Sequence, residues 1–186
     1  MRIEDLTNED FFGLLEAELT TYYSEITMRT ITNFDNTYQM KSSDQKIISG
    51  EGEYQFPITA ELYPVYEWVI GQNDKPFDAE EVLQSICEMV WHNPFTPGGH
   101  YDVNWEEWSE TRLGFLVQTA YKKLDLEKGN SLTATDLAQL SGLSLTGILG
   151  KIPDEIEAEK ENGNWVISSE EARRFLEDRE TAIIRR

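Results

Sequence analysis

Apolar residues near the start of the chain recur at steps of three and four: Phe11, Leu15, Leu19, Tyr22 and Ile26. That spacing lines one side of an α-helix. Asn8 is the expected N-cap, with Glu9 and Asp10 in the first turn. The period is lost over residues 30–58, where turn formers separate short apolar pairs. A long connection with a hairpin is expected there. "TAELYPVYEWVIG" predicts a short helix capped by Thr59, with Pro64 near its start. "PFDAEEVLQSICEMVW" predicts another. Asp78 and Glu81 form a capping-box pattern, and Val82, Ile86, Met89 and Val90 supply the buried side. "HNPFTPGGHYDVN" breaks the pattern with two prolines and two glycines. Asn104 and Glu107 repeat the capping spacing. A single helix is expected from Trp105 to about Leu124, burying Trp108, Leu116, Ala120 and Leu124, with Gly129 and Asn130 ending it.

From residue 131 the elements shorten. Thr133 is placed to cap a short helix, with Asp136 at its third position and Leu137, Ala138 and Leu140 facing inward. Gly142 supplies a tight turn, where positive φ is often needed. Ser144 caps a second short helix that Ile148 packs back onto the first. "IEAEKENGNWVI" alternates around Asn162-Gly163, a hairpin signal. Ser168 and Glu171 then form another capping box, and Phe175 and Leu176 point back to the core. The expected fold is mostly α: an acidic helical domain over residues 1–130, then a small domain over 131–186 built from two short helices, a hairpin and a closing helix.

Residues 131–178 resemble the winged helix-turn-helix of excisionase-type and MerR-like DNA-binding domains. The resemblance rests on "LTATDLAQLSGLS", "GKIP" and "WVISSEEARRFL". It implies that the first helix supports and the second enters the major groove. It also implies that the hairpin is a wing touching the backbone and that the last helix closes the core. No such resemblance covers residues 1–130. The contact positions that follow are Ser144, Leu145, Thr146, Lys151, Lys160, Asn162 and Asn164, for DNA or for a partner. Two departures bear on the ligand. The second helix, "SLTGILGK", has Lys151 as its sole cation, and the wing "EIEAEKENGN" is mostly acidic. Phosphate contacts need cations or backbone donors. Arg173, Arg174, Arg179, Arg185 and Arg186 lie on or after the last helix. They are expected to balance Glu170, Glu177 and Glu180 across helical turns.

Charge sharpens the tension. The formal net charge is −19, with 35 acidic and 16 basic residues among 186. Residues 1–130 carry −15 of it and residues 131–186 carry −4. An acidic surface keeps a protein soluble, repels phosphate at long range and favours basic partners. Hydrophobic residues at 39% and aromatics at 11% fit a folded chain, not an acidic tail. Aromatics cluster in "TTYY", "ELYPVYEWVIG" and "VWHNPFTPGGHYDVNWEEW", as core and as anchors for a protein partner. One cysteine, Cys87, excludes an intrachain disulfide, and its apolar surroundings read as a buried thiol. The start "MRIEDLTNED" has no apolar segment of the signal-peptide kind, and no apolar run approaches the length of a membrane span. A cytoplasmic location is expected.

Chemistry is not apparent. His92, His100, Cys87, Glu88 and Asp102 match no metal-ligand spacing. The glycine turns lack the lysine of a phosphate loop, and no nucleophile–base pattern stands out. The expectation is a protein that is not an enzyme and needs no cofactor: a helix-turn-helix regulator acting through duplex DNA or a DNA-bound machine. Its N-terminal domain would serve partner binding or a homodimer. The alternative is an acidic adaptor or inhibitor that meets a basic nucleic-acid-binding protein.

Overall fold

A computed structural model describes residues 3–19, 57–76, 78–91 and 105–179. The fold is mostly helical with a small antiparallel sheet. The chain divides into two compact units, one of residues 9–63 and one of residues 1–8 with 64–186. The connection expected over residues 30–58 overlaps the described residues only at 57–58. The Pro/Gly segment 92–104, the two histidines, Tyr22, Ile26, Arg185 and Arg186 fall outside them.

In the unit of residues 9–63, a helical run covers residues 11–19 (α2 below). Phe11, Leu15 and Leu19 are buried along it, as their spacing predicts. Its start differs from expectation. The helix opens after Asp10, whose carbonyl accepts the Leu14 N–H at 2.9 Å, while Asn8 lies in the preceding turn. The rings of Phe12 and Tyr63 meet edge to face at 5.0 Å.

The larger unit opens with α1 (Ile3–Leu6) and resumes within α3 (Pro57–Val69), at Pro64. Here the expectation needs correction. Thr59 lies inside α3, not ahead of it, because Pro57 begins the helix, and Pro64 sits in its interior. Proline at a first helical position loses no bond the helix would have made. Tyr66 of α3 donates its hydroxyl to the Leu6 carbonyl at 2.9 Å. Then come α4 (Ala79–Trp91), α5 (Trp105–Glu110) and α6 (Arg112–Lys128). Val82, Ile86 and Cys87 are buried on α4.

The single helix expected from Trp105 is two. The break falls at Thr111, which leaves helical geometry (φ −72°, ψ 155°) and caps α6 by accepting the Gly114 N–H at 3.0 Å. Its hydroxyl donates to the Trp108 carbonyl at 2.7 Å. The turn is so close that a Cβ on Gly114 would overlap that carbonyl. Beyond the break, α6 is the central element, burying Leu113, Phe115, Leu116, Val117, Ala120 and Leu124. It packs on α4, α5 and the elements that follow. Gly129, at φ 84°, ends it as expected.

The remaining elements are β1 (Leu132–Thr133), α7 (Ala134–Ser141), α8 (Leu145–Leu149), β2 (Glu159–Glu161), β3 (Asn164–Ile167) and α9 (Ser169–Asp178). The hairpin β2–β3 turns at Asn162 and Gly163, both at positive φ. Pairing runs from Glu161 opposite Asn164 to Glu159 opposite Val166. The strand β1 is new relative to the sequence reading. It pairs antiparallel with β3, Leu132 opposite Ile167, and makes the order β1-β3-β2. Two residues are too few to show an alternating pattern. Leu132, Leu137, Leu140, Ile148, Ile156, Ile167 and Leu176 form the buried centre of this region. Among the described residues, no helix is long and apolar enough to cross a membrane.

Candidate interaction face on the second short helix and hairpin

Local chemistry sets α7 and α8 against each other. Thr133 caps α7 in a full capping box: it accepts the Asp136 N–H, and the Asp136 carboxylate accepts the Thr133 N–H at 3.0 Å. Lys122 of α6 pairs with Asp136 at 3.3 Å and also donates to Gln139, which itself donates to Thr119 at 3.0 Å. That network fixes α7 on α6. Gly142 then reverses the chain at φ 72°. A Cβ there would strike the Glu4 carboxylate and come within 2.9 Å of Ile3, so α1 closes over the turn. Ser144 caps α8 by accepting the Gly147 N–H at 3.1 Å.

This arrangement decides which side of α8 meets solvent. Ile148 is fully buried. Ser144 and Thr146 are exposed, as are Leu145 at 43% and Leu149 at 39%. Leu149 was not among the sequence-derived contact positions. The signal for it was present: Leu149 lies four positions after Leu145, on the same side of the helix.

The cations of the region are engaged within the chain. Lys151 pairs with the Glu155 carboxylate in the turn after α8. Lys160, exposed on β2, holds its ammonium 5.7 Å from the centre of the Trp165 ring. Trp165 is half-buried, and Lys160 covers it from outside. Arg173 donates to the Leu126 carbonyl at 2.7 Å. Arg174 pairs with Glu171 and Asp178, rather than with the expected Glu170 and Glu177, and also donates to the Glu155 carbonyl at 2.8 Å. Arg179 stacks over Phe175 at 5.9 Å.

Glu171 departs from expectation in an informative way. Its N–H donates to Ser168, as an N-cap requires. Its carboxylate, however, reaches away to the Glu157 N–H at 2.9 Å and to Arg174. Arg174, and then the Glu157 N–H, hold that carboxyl below its ordinary pKa against the opposing effect of burial. The pair raises the Arg174 pKa in turn. Glu171 therefore ties the approach to the hairpin onto α9.

Of the sequence-derived positions, Ser144, Leu145, Thr146 and Lys151 lie together on and just after α8. Lys160, Asn162 and Asn164 lie on the hairpin, and all three are exposed. The acids Asp154, Glu155, Glu157, Glu159 and Glu161 between these groups are exposed as well. Among the described residues, no group of three His, Cys, Asp or Glu side chains is arranged to hold a metal ion. Comparison with known proteins finds no matching family model, no matching curated protein and no matching solved structure.

Proposed function

We propose that residues 131–178 form a winged helix-turn-helix module, with α8 as the presented helix and β2–β3 as the wing. It belongs to a non-enzymatic regulatory protein that acts through DNA or a DNA-bound machine. One observation carries this reading. The Gly142 turn and the buried Ile148 hold α8 with Ser144, Leu145, Thr146 and Leu149 facing outward.

Titration of the full-length protein against random-sequence duplex DNA at several salt concentrations tests the ligand. Binding that weakens steeply with salt and is lost in Thr146→Glu/Asn164→Asp supports the DNA form. Binding to any ligand that survives those substitutions unchanged argues against the face itself.

A second reading is an acidic adaptor or inhibitor for a basic nucleic-acid-binding protein. The state of the cations favours it. Lys151 and Lys160 already have partners inside the chain, and a phosphate would have to displace them. Residues 144–164 contain five acids and two bases.

A further inference from the structure

We infer that the α8 face receives an amphipathic, basic segment of a partner protein, whose apolar side chains seat on Leu145 and Leu149. The inference rests on the reading of α8 and the hairpin as the contact face, and it names the chemistry of what docks there.

Leu145 and Leu149 stand one helical turn apart, and both are substantially exposed. Residues at that spacing are neighbours on a helix surface and make a pair of anchor points for apolar side chains. The turn that follows carries Asp154 and Glu155, and the wing carries Glu159 and Glu161. With Lys151 and Glu155 paired to each other, Asp154, Glu157, Glu159 and Glu161 stand against Lys160 alone, so the charge offered to a partner is negative.

Complementarity selects among occupants. Duplex phosphates meet carboxylates of their own sign. A second copy of the chain brings another net charge of −19. An anionic lipid surface is repelled for the same reason. A segment with leucine-like anchors flanked by lysine or arginine satisfies both the apolar pair and the acidic surroundings. Strand addition is the poorer mode, because β2 is a three-residue edge strand reading Glu-Lys-Glu. Short, charged edges discourage pairing.

The test uses full-length protein, a synthetic amphipathic peptide of leucine and lysine, its glutamate-for-lysine counterpart, and random-sequence duplex DNA. The double variant Leu145→Ser/Leu149→Ser removes exposed side chains, so the fold is retained, and circular dichroism checks this. The expected result is binding of the lysine peptide, not the glutamate peptide, weakened at least about tenfold by the double variant. Lysine-peptide binding that responds to salt but not to the leucine substitutions reflects overall acidity and overturns the inference. Duplex DNA binding that is lost in the double variant, with the peptide unaffected, overturns the inference and leaves α8 as a DNA face. If Thr146→Glu/Asn164→Asp and the leucine variant change the binding of none of the ligands, the contact-face reading falls with it.

Discussion

Lys123 shows how one residue can carry a pH dependence. It is 7% exposed, donates to the Trp68 carbonyl at 2.6 Å and lies 5.3 Å from the Trp68 ring centre. Burial pushes its ammonium down to about 8, against the pull of Glu127. Below pH 8 the lysine is charged in both folded and unfolded chains and adds no slope. Between about 8 and the ordinary lysine value near 10.5, the unfolded chain holds more protons, so stability rises with pH. The gain is expected to reach up to about 3 kcal/mol. Tyr121 acts in the opposite sense. Burial first, then Cys87 and Glu80, push its hydroxyl up to about 12, so stability falls between about pH 10 and 12. Urea denaturation from pH 7 to 10 should therefore show a rise that Lys123→Met lacks; a flat wild-type profile would contradict the assignment. Gly142 makes a second residue-scale case. Its positive φ was legible in the sequence, but the crowding by Glu4 and Ile3 was not, because α1 is remote in the chain. Gly142→Ala is expected to cost about 1–3 kcal/mol in the same assay.

Between neighbouring elements, local signals decide most boundaries, and close contacts decide the rest. The caps at Thr133, Ser144 and Ser168 were legible because each side chain bonds within its own turn. The break between α5 and α6 was not. Trp108 and Leu116, two turns apart, fit one continuous helix, and no linear pattern reports the glycine pressed on the Trp108 carbonyl beside the Thr111 cap. Two glycine substitutions separate these effects by thermal unfolding. Gly114→Ala is expected to destabilise by about 2 kcal/mol or more, through overlap with Trp108. Gly13→Ala, in α2 with nothing within 4 Å of the new Cβ, is expected to stabilise by about 0.5–1 kcal/mol. At the hairpin, Glu171→Gln weakens the tie to Arg174 and the Glu157 N–H. Amide exchange at Glu157 should quicken, and unchanged exchange would count against the tie. Because the Glu171 carboxyl lies below its ordinary pKa, its contribution is present above the normal carboxylate range and is lost as pH falls through the lowered value.

Across the whole molecule, like-charge repulsion acts on every part of the chain, and a net charge of −19 opposes compaction. Screening should relieve it. Raising sodium chloride from low to moderate concentration is expected to stabilise the protein by about 1 kcal/mol, or about 3 °C in Tm. A fall in Tm would mean that ion pairs such as Lys128–Glu80 and Lys122–Asp136 outweigh the repulsion. The sequence by itself determined the mostly helical character, the caps, the Gly142 turn, the Asn162-Gly163 hairpin and the acidity. These rest on spacing, on side chains that bond nearby backbone, and on composition. Only the tertiary structure decided that β1 pairs with β3, that Glu171 holds the approach to the hairpin and that Trp165 stays half exposed. It alone decided that Lys151 and Lys160 turn to partners within the chain, and that Arg173 and Arg174 reach the Leu126 and Glu155 carbonyls. Those outcomes depend on groups brought together from separate parts of the chain, and a linear pattern holds no record of which side chain reaches which.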